Sequence, residues 1–147
     1  MGYRRVLAAT LLAAAGQAEA AMHQASGRFD VAMTPALADP AWLGHMTMAK
    51  TYHGPLAATA AGEFWLAGDP KSGSAGYVAA EKVEGTLDGR QGSFVLMHSA
   101  TMTAGKPEMR VFVVPGSGTG ALAGLTGTLA IRIEGGQHFY TLDYDLP

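Results

Sequence analysis

Asp88-Gly89 sits between two runs that alternate with a strand's period, and the pair fixes which side chains share a face. Asp-Gly is a strong two-residue hairpin signal, because both central residues of the favoured turn take positive φ. Counting outward pairs Leu87 with Arg90, Val83 with Phe94, Glu81 with Leu96, Ala79 with His98 and Tyr77 with Ala100. Tyr77, Val83, Phe94 and Leu96 form an apolar set, so that face is expected to point into a core. Glu81 and His98 point the same way. An inward carboxylate diagonal to an inward imidazole is the leading site clue in the chain. It specifies a place rather than a reaction.

Gly135-Gly136 marks a second tight hairpin. Its register pairs Ile133 with His138, Ile131 with Tyr140, Leu129 with Leu142 and Gly127 with Tyr144. Phe29, Val31 and Met33 alternate with Asp30 and Ala32, and Met46, Met48, Lys50 and Tyr52 alternate with smaller or polar residues. Further strands are expected over 59–67 and 109–114, with loops over 35–44, 68–73 and 115–120. Lys82, Glu84, Arg132, Glu134, Asp143 and Asp145 fall on the opposite faces, which must be solvated. No helix-length pattern interrupts the series.

About eight strands in hairpin order, each with one polar face, predict an all-β domain: a sandwich or a single closed antiparallel barrel. The barrel is favoured because closure removes edges that would otherwise need protection. An outer-membrane barrel carries the reverse pattern, apolar outside and polar inside. A soluble barrel is therefore expected.

The first twenty residues read as an export signal rather than as part of the fold. Arg4 and Arg5 precede an apolar run, and Ala18-Glu19-Ala20 supplies a small-x-small cleavage pattern. The run is too short for a transmembrane helix, which needs roughly twenty residues. Arg4-Arg5 also hints at twin-arginine export, although Tyr3 stands where Ser or Thr is usual. A secreted or periplasmic protein beginning near Ala21 is expected, with 21–147 as one domain. The chain contains no cysteine, which removes disulfides, thiol nucleophiles and thiolate metal sites in one step. Its net charge is −2 with Lys and Arg scattered singly, so nothing resembles the basic patch a nucleic acid requires.

Several blocks together resemble a known family: 77–81, 85–90, 92–96 with His98, 114–120, and His138-Phe139-Tyr140. Ala25-Ser26-Gly27 with Phe29 and Val31, and Lys50 with Tyr52 and Gly54, resemble its opening strands. The family is bacterial, uncharacterised, and known mainly as a domain of unknown function. The match spans Ala25 to Tyr144. The resemblance implies a small antiparallel barrel similar in architecture to allene oxide cyclase. In that family an acid often follows the glycine that Gly54 matches; here Pro55 stands there. Function stays open, because a fold does not fix an activity.

Lys50 shares a face with Met46, Met48 and Tyr52, and an unpaired buried ammonium costs several kcal/mol. Glu81 is its natural partner. Lys50, Glu81 and His98 are thus the candidate catalytic residues, either exchanging protons with a ligand or serving only as a structural ion pair. Tyr77, His138, Tyr140 and Tyr144 are candidates to line an amphipathic cavity, with space left by Ala57, Ala58, Ala60, Ala61 and Gly62. Ser117 and Gly118 lie in a glycine-rich loop that is neither a Walker loop nor a nucleophile elbow. That loop is a plain barrel-end connection or a backbone N–H nest for an anion. His23, His45 and His53 are read as lying in a tail, in a loop and on an outer face. No metal-ligand spacing is present and no cofactor is implied.

The leading reading is an exported barrel that binds a small amphipathic molecule, with isomerase- or cyclase-like acid–base chemistry as its catalytic form. A second is a carboxyl-dependent peptidase or hydrolase in which Glu81 and Glu63 share a proton. A third is a non-catalytic interaction module. The oligomeric state has no signature in the sequence.

Overall fold

The structure, a computed structural model, describes residues 22–147; the expected export signal lies outside them. Eight strands close into one antiparallel barrel in chain order. They are β1 (His23–Pro35), β2 (Gly44–His53), β3 (Leu56–Asp69), β4 (Ser74–Leu87), β5 (Arg90–Thr103), β6 (Lys106–Val113), β7 (Thr126–Glu134) and β8 (Gln137–Asp145). β1 pairs with β8 to complete the circle. Both hairpin registers read from the turns are present, with Val83 opposite Phe94 and Ile131 opposite Tyr140. Asp88 and Gly89 take φ of 47° and 77°, and Gly135 and Gly136 take 56° and 77°. These are the conformations that two-residue hairpins need.

Three boundaries differ from expectation. β3 runs from Leu56 to Asp69, and β6 starts at Lys106 rather than at 109. The expected loop over 68–73 contracts to a 3₁₀ turn, Pro70–Ser72, capped by the Asp69 side chain on the Lys71 amide. A third tight hairpin joins β5 to β6 through Ala104 and Gly105, at φ 49° and 78°. Alanine carries no turn signal, so this connection was illegible.

The two ends of the barrel are unlike. At one end the 114–125 connection folds back and inserts Leu122 and Leu125, each fully buried, against Leu56, Leu87 and Phe94. Ser93 and Thr119 tie this plug to β5 through their hydroxyls at 2.7 Å. Among the described residues nothing plugs the other end. Met33, Met109 and Ile133 belong to inward faces yet are 37%, 47% and 62% exposed. Ile133 is inward by alternation and exposed by height, a distinction that periodicity does not carry. β6 and β7 share a single registered pair, Phe112 with Thr128, so their ladder stops well below the open rim. Among the described residues no helix is long and apolar enough to cross a membrane. Lys82, Glu84, Arg132 and Glu134 are exposed on the outside, and Asp143 and Asp145 are partly so.

Candidate functional site

Lys50, Glu81 and His98 come together inside the barrel from β2, β4 and β5. β3 lies between the first two, and its inward residues are small. Lys50 stands beside Ala60, and Glu81 beside Gly62, in the registers of β2 with β3 and β3 with β4. The ammonium and carboxylate therefore meet over β3, with Lys50 Nζ 3.1 Å from Glu81 Oε1. His98 Nε2 lies 3.2 Å from the same oxygen. Tyr52, whose role was not read from the sequence, donates its hydroxyl to that oxygen at 2.7 Å. Its signal was available: Tyr52 follows Lys50 by two residues on one face.

Three donors thus converge on one carboxylate oxygen, while Glu81 Oε2 is enclosed and has no partner among the described residues. The side chains of Lys50, Glu81 and His98 are 3%, 0% and 3% exposed. Burial pushes Glu81 up, but the His98 hydrogen bond, the Lys50 charge and the Tyr52 hydroxyl together hold it below the ordinary carboxylate range. Lys50 moves down, because burial outweighs the one carboxylate that supports its charge. Burial and the adjacent carboxylate raise the Tyr52 phenol, so it remains a donor. An ionised Glu81 only accepts, so His98 Nε2 donates, which in the neutral tautomer leaves the ring's lone pair on Nδ1. Among the described residues Nδ1 has no hydrogen-bond partner, and it is not among the enclosed unpartnered atoms. It is reached from the cavity.

That cavity opens at the unplugged end. Its outer part is a cleft of about 390 Å³ lined by Met33, Met46, Phe64, Leu66, Met102 and Met109. An adjoining hollow of about 180 Å³ shares Met33, Phe64, Tyr77 and Met109 with the cleft and reaches Lys50 and His98. His138 lines this hollow too, with its ring 5.1 Å from that of Phe29. Methionine suits such a wall, being unbranched, polarizable and adaptable to irregular shapes. A hollow of about 630 Å³ on the outer face of β1 to β5 is larger but open, floored by small residues such as Ala49, Ala61 and Ala80.

Of the expected ligand-lining residues, Tyr77 and His138 face this cavity. Tyr140 and Tyr144 do not. Tyr140 accepts from the Leu56 amide at 3.1 Å and donates to the His53 carbonyl at 3.1 Å, closing the plugged end. Tyr144 donates to Asp88 at the hairpin, and burial followed by that bond pushes its phenol up to about 12. Ser117 and Gly118 belong to the plug. Ser117 Oγ accepts from the Val95 amide at 3.0 Å and donates to the Val114 carbonyl at 2.6 Å, so its hydroxyl is used within the plug. A Cβ on Gly118 would strike the Leu122 carbonyl.

Glu63 stands on the outer face of β3 and bonds His45 at 2.6 Å, so it shares no proton with Glu81. His45 is on β2 rather than in a loop, stacked on Trp65 at 4.7 Å. The Glu63 bond, then the Leu37 carbonyl, raise its pKa above the ordinary histidine value. His23 lies in β1, stacked on Tyr144, and His53 faces outward and bonds Asp30 at 2.7 Å. No group of three or more His, Asp or Glu among the described residues is placed to hold a metal ion.

The family described as a protein of unknown function (DUF3224) matches residues 25–144, and the chain belongs to it. A crystal structure of a DUF3224 protein of unknown function from Shewanella oneidensis MR-1 is similar, at 47% identity and a TM-score of 0.81. The similarity covers 86% of this chain and 98% of that one. None of the curated proteins matches the chain.

Proposed function

We propose that the barrel binds a small amphipathic molecule endwise, its apolar body against the methionine-lined mouth and its polar end at Lys50 and His98. One observation carries this reading: the buried charged cluster sits at the floor of an apolar cavity that is open at one end. A purely structural ion pair gains nothing from such access, and burying it costs stability that hydrophobic residues would not. Apolar pockets with a few placed polar groups are the usual form of a small-molecule site.

The test is titration with Nile red, an uncharged apolar dye, followed by fluorescence. Ala100 is buried in the mouth wall, and Ala100→Trp is expected to fill the cleft. Dye affinity should fall at least about tenfold in the variant, at a little-changed melting temperature. Unchanged dye binding would overturn the reading, and no binding by the parent protein would favour an interaction module.

The catalytic form of this reading draws support from the orientation of His98. A carboxylate that fixes an imidazole tautomer, leaving the other nitrogen facing a ligand, is the arrangement a general base needs. A Lys50 N–H beside it can support an oxyanion that develops on a carbonyl. Exchange of the α-hydrogens of bound 2-decanone with D₂O, followed by NMR, is expected to be faster with the parent protein than with His98→Gln. Equal rates would remove His98 from any acid–base role.

A further inference from the structure

We infer that the ligand's polar end is uncharged, and that a hydroxyl fits it best. This rests on the proposed container role and specifies the class of molecule the cavity takes. Lys50 and Glu81 cancel each other's charge at 3.1 Å, and His98 in a neutral tautomer adds none. A carboxylate head at Lys50 would bring a second negative charge beside the Glu81 carboxylate, in a cavity with apolar walls. An ammonium head would meet Lys50 itself. In low-dielectric surroundings either like-charge approach costs more than in water, and either head is stripped of its hydration on entry.

The donor and acceptor count points the same way. Lys50 carries three N–H groups. One reaches Glu81 Oε1 at 3.1 Å and a second the Tyr52 oxygen at 3.4 Å. The third is left to the Phe29 ring, whose centroid is 4.7 Å away and which lines the same cavity. His98 contributes the Nδ1 lone pair. The floor of the cavity thus offers one N–H donor from Lys50 and one acceptor from His98. A single hydroxyl complements both, accepting from Lys50 and donating to His98. A ketone uses only the donor, and an alkane neither. The other titratable groups lining this space are His138 and Tyr77, with Glu108 at the outer cleft.

The experiment compares 1-decanol, decanoate and decylamine as competitors of Nile red at pH 8, with the full chain and with Glu81→Gln. With the parent protein, decanol should compete at least about tenfold better than decanoate or decylamine. Glu81→Gln keeps the shape and leaves Lys50 as an uncompensated cation, so decanoate should gain at least about tenfold relative to decanol. That reversal excludes an explanation from the differing hydration of the two heads. Should Glu81→Gln fail to fold, the ranking with the parent protein decides alone. Decanoate equal to or better than decanol would overturn the inference and leave the container role standing. A mouth that binds the dye but none of the three also refutes it. Failure of the dye itself to bind would remove both readings.

Discussion

Glu81→Ala is expected to destabilise the barrel by about 3–5 kcal/mol, read as a lower denaturant midpoint at unchanged slope. The carboxylate is fully enclosed, and its removal strands the Lys50 ammonium, which is 3% exposed. Tyr52 and His98 lose their shared acceptor in the same step. Replacing Lys50 and Glu81 together by Met and Leu should cost much less than Glu81→Ala, because no charge is then left behind. An additive double variant would show that the two residues are not coupled.

The pH dependence has a definite sign. Folding depresses the Glu81 pKa below its ordinary value of 4.5. Its contribution to stability is complete above that value and is lost as pH falls through the depressed one. Lys50 is also depressed, from 10.5. Its contribution is complete above pH 10.5 and is lost as pH falls through the depressed value. A pair whose buried lysine disfavours its own charged form is poorly explained by stability alone. That imbalance favours a role in recognition.

Much of the fold was legible because β-structure writes orientation into alternation and register into turns. Asp88-Gly89 and Gly135-Gly136 fixed the paired residues, and with them the inward direction of Glu81 and His98. Alternation says nothing about height along the barrel. Tyr140 and Tyr144 were assigned correctly to the inner face, but they lie on the plugged side of the polar cluster. Tyr77 and His138 lie on the open side. The plug itself was hidden, since Leu122 and Leu125 sit in a connection with no periodicity and drew no notice as core residues. Glu63 has no face legible in the sequence, because the small-residue run over 57–62 gives no apolar stripe; His45 reads as a loop residue because the β2 alternation first shows at Met46. Tyr52 is legible as a face-mate of Lys50, two residues along β2; its bond to Glu81 follows from the thin third strand that lets side chains from β2 and β4 meet.

That thinness supplies the last expectation. Gly62→Ala should cost about 1–3 kcal/mol, near the upper end, although alanine is the smallest possible addition. Its new methyl would stand 2.8 Å from Glu81 Cβ and closer still to the Ala80 carbonyl, a backbone atom that cannot swing aside. Relief requires β4 to move away from β3 at the position of Glu81, the residue registered with Gly62. The carboxylate then retreats from Lys50 and Tyr52, so decanol affinity should fall with stability. Ala61→Ser, one residue along and on the outer face, should change stability by no more than about 0.5 kcal/mol and leave decanol affinity intact. If Gly62→Ala lost stability while decanol bound as before, the strand would be needed for packing alone. A loss of both would tie the glycine to the meeting of Lys50 with Glu81.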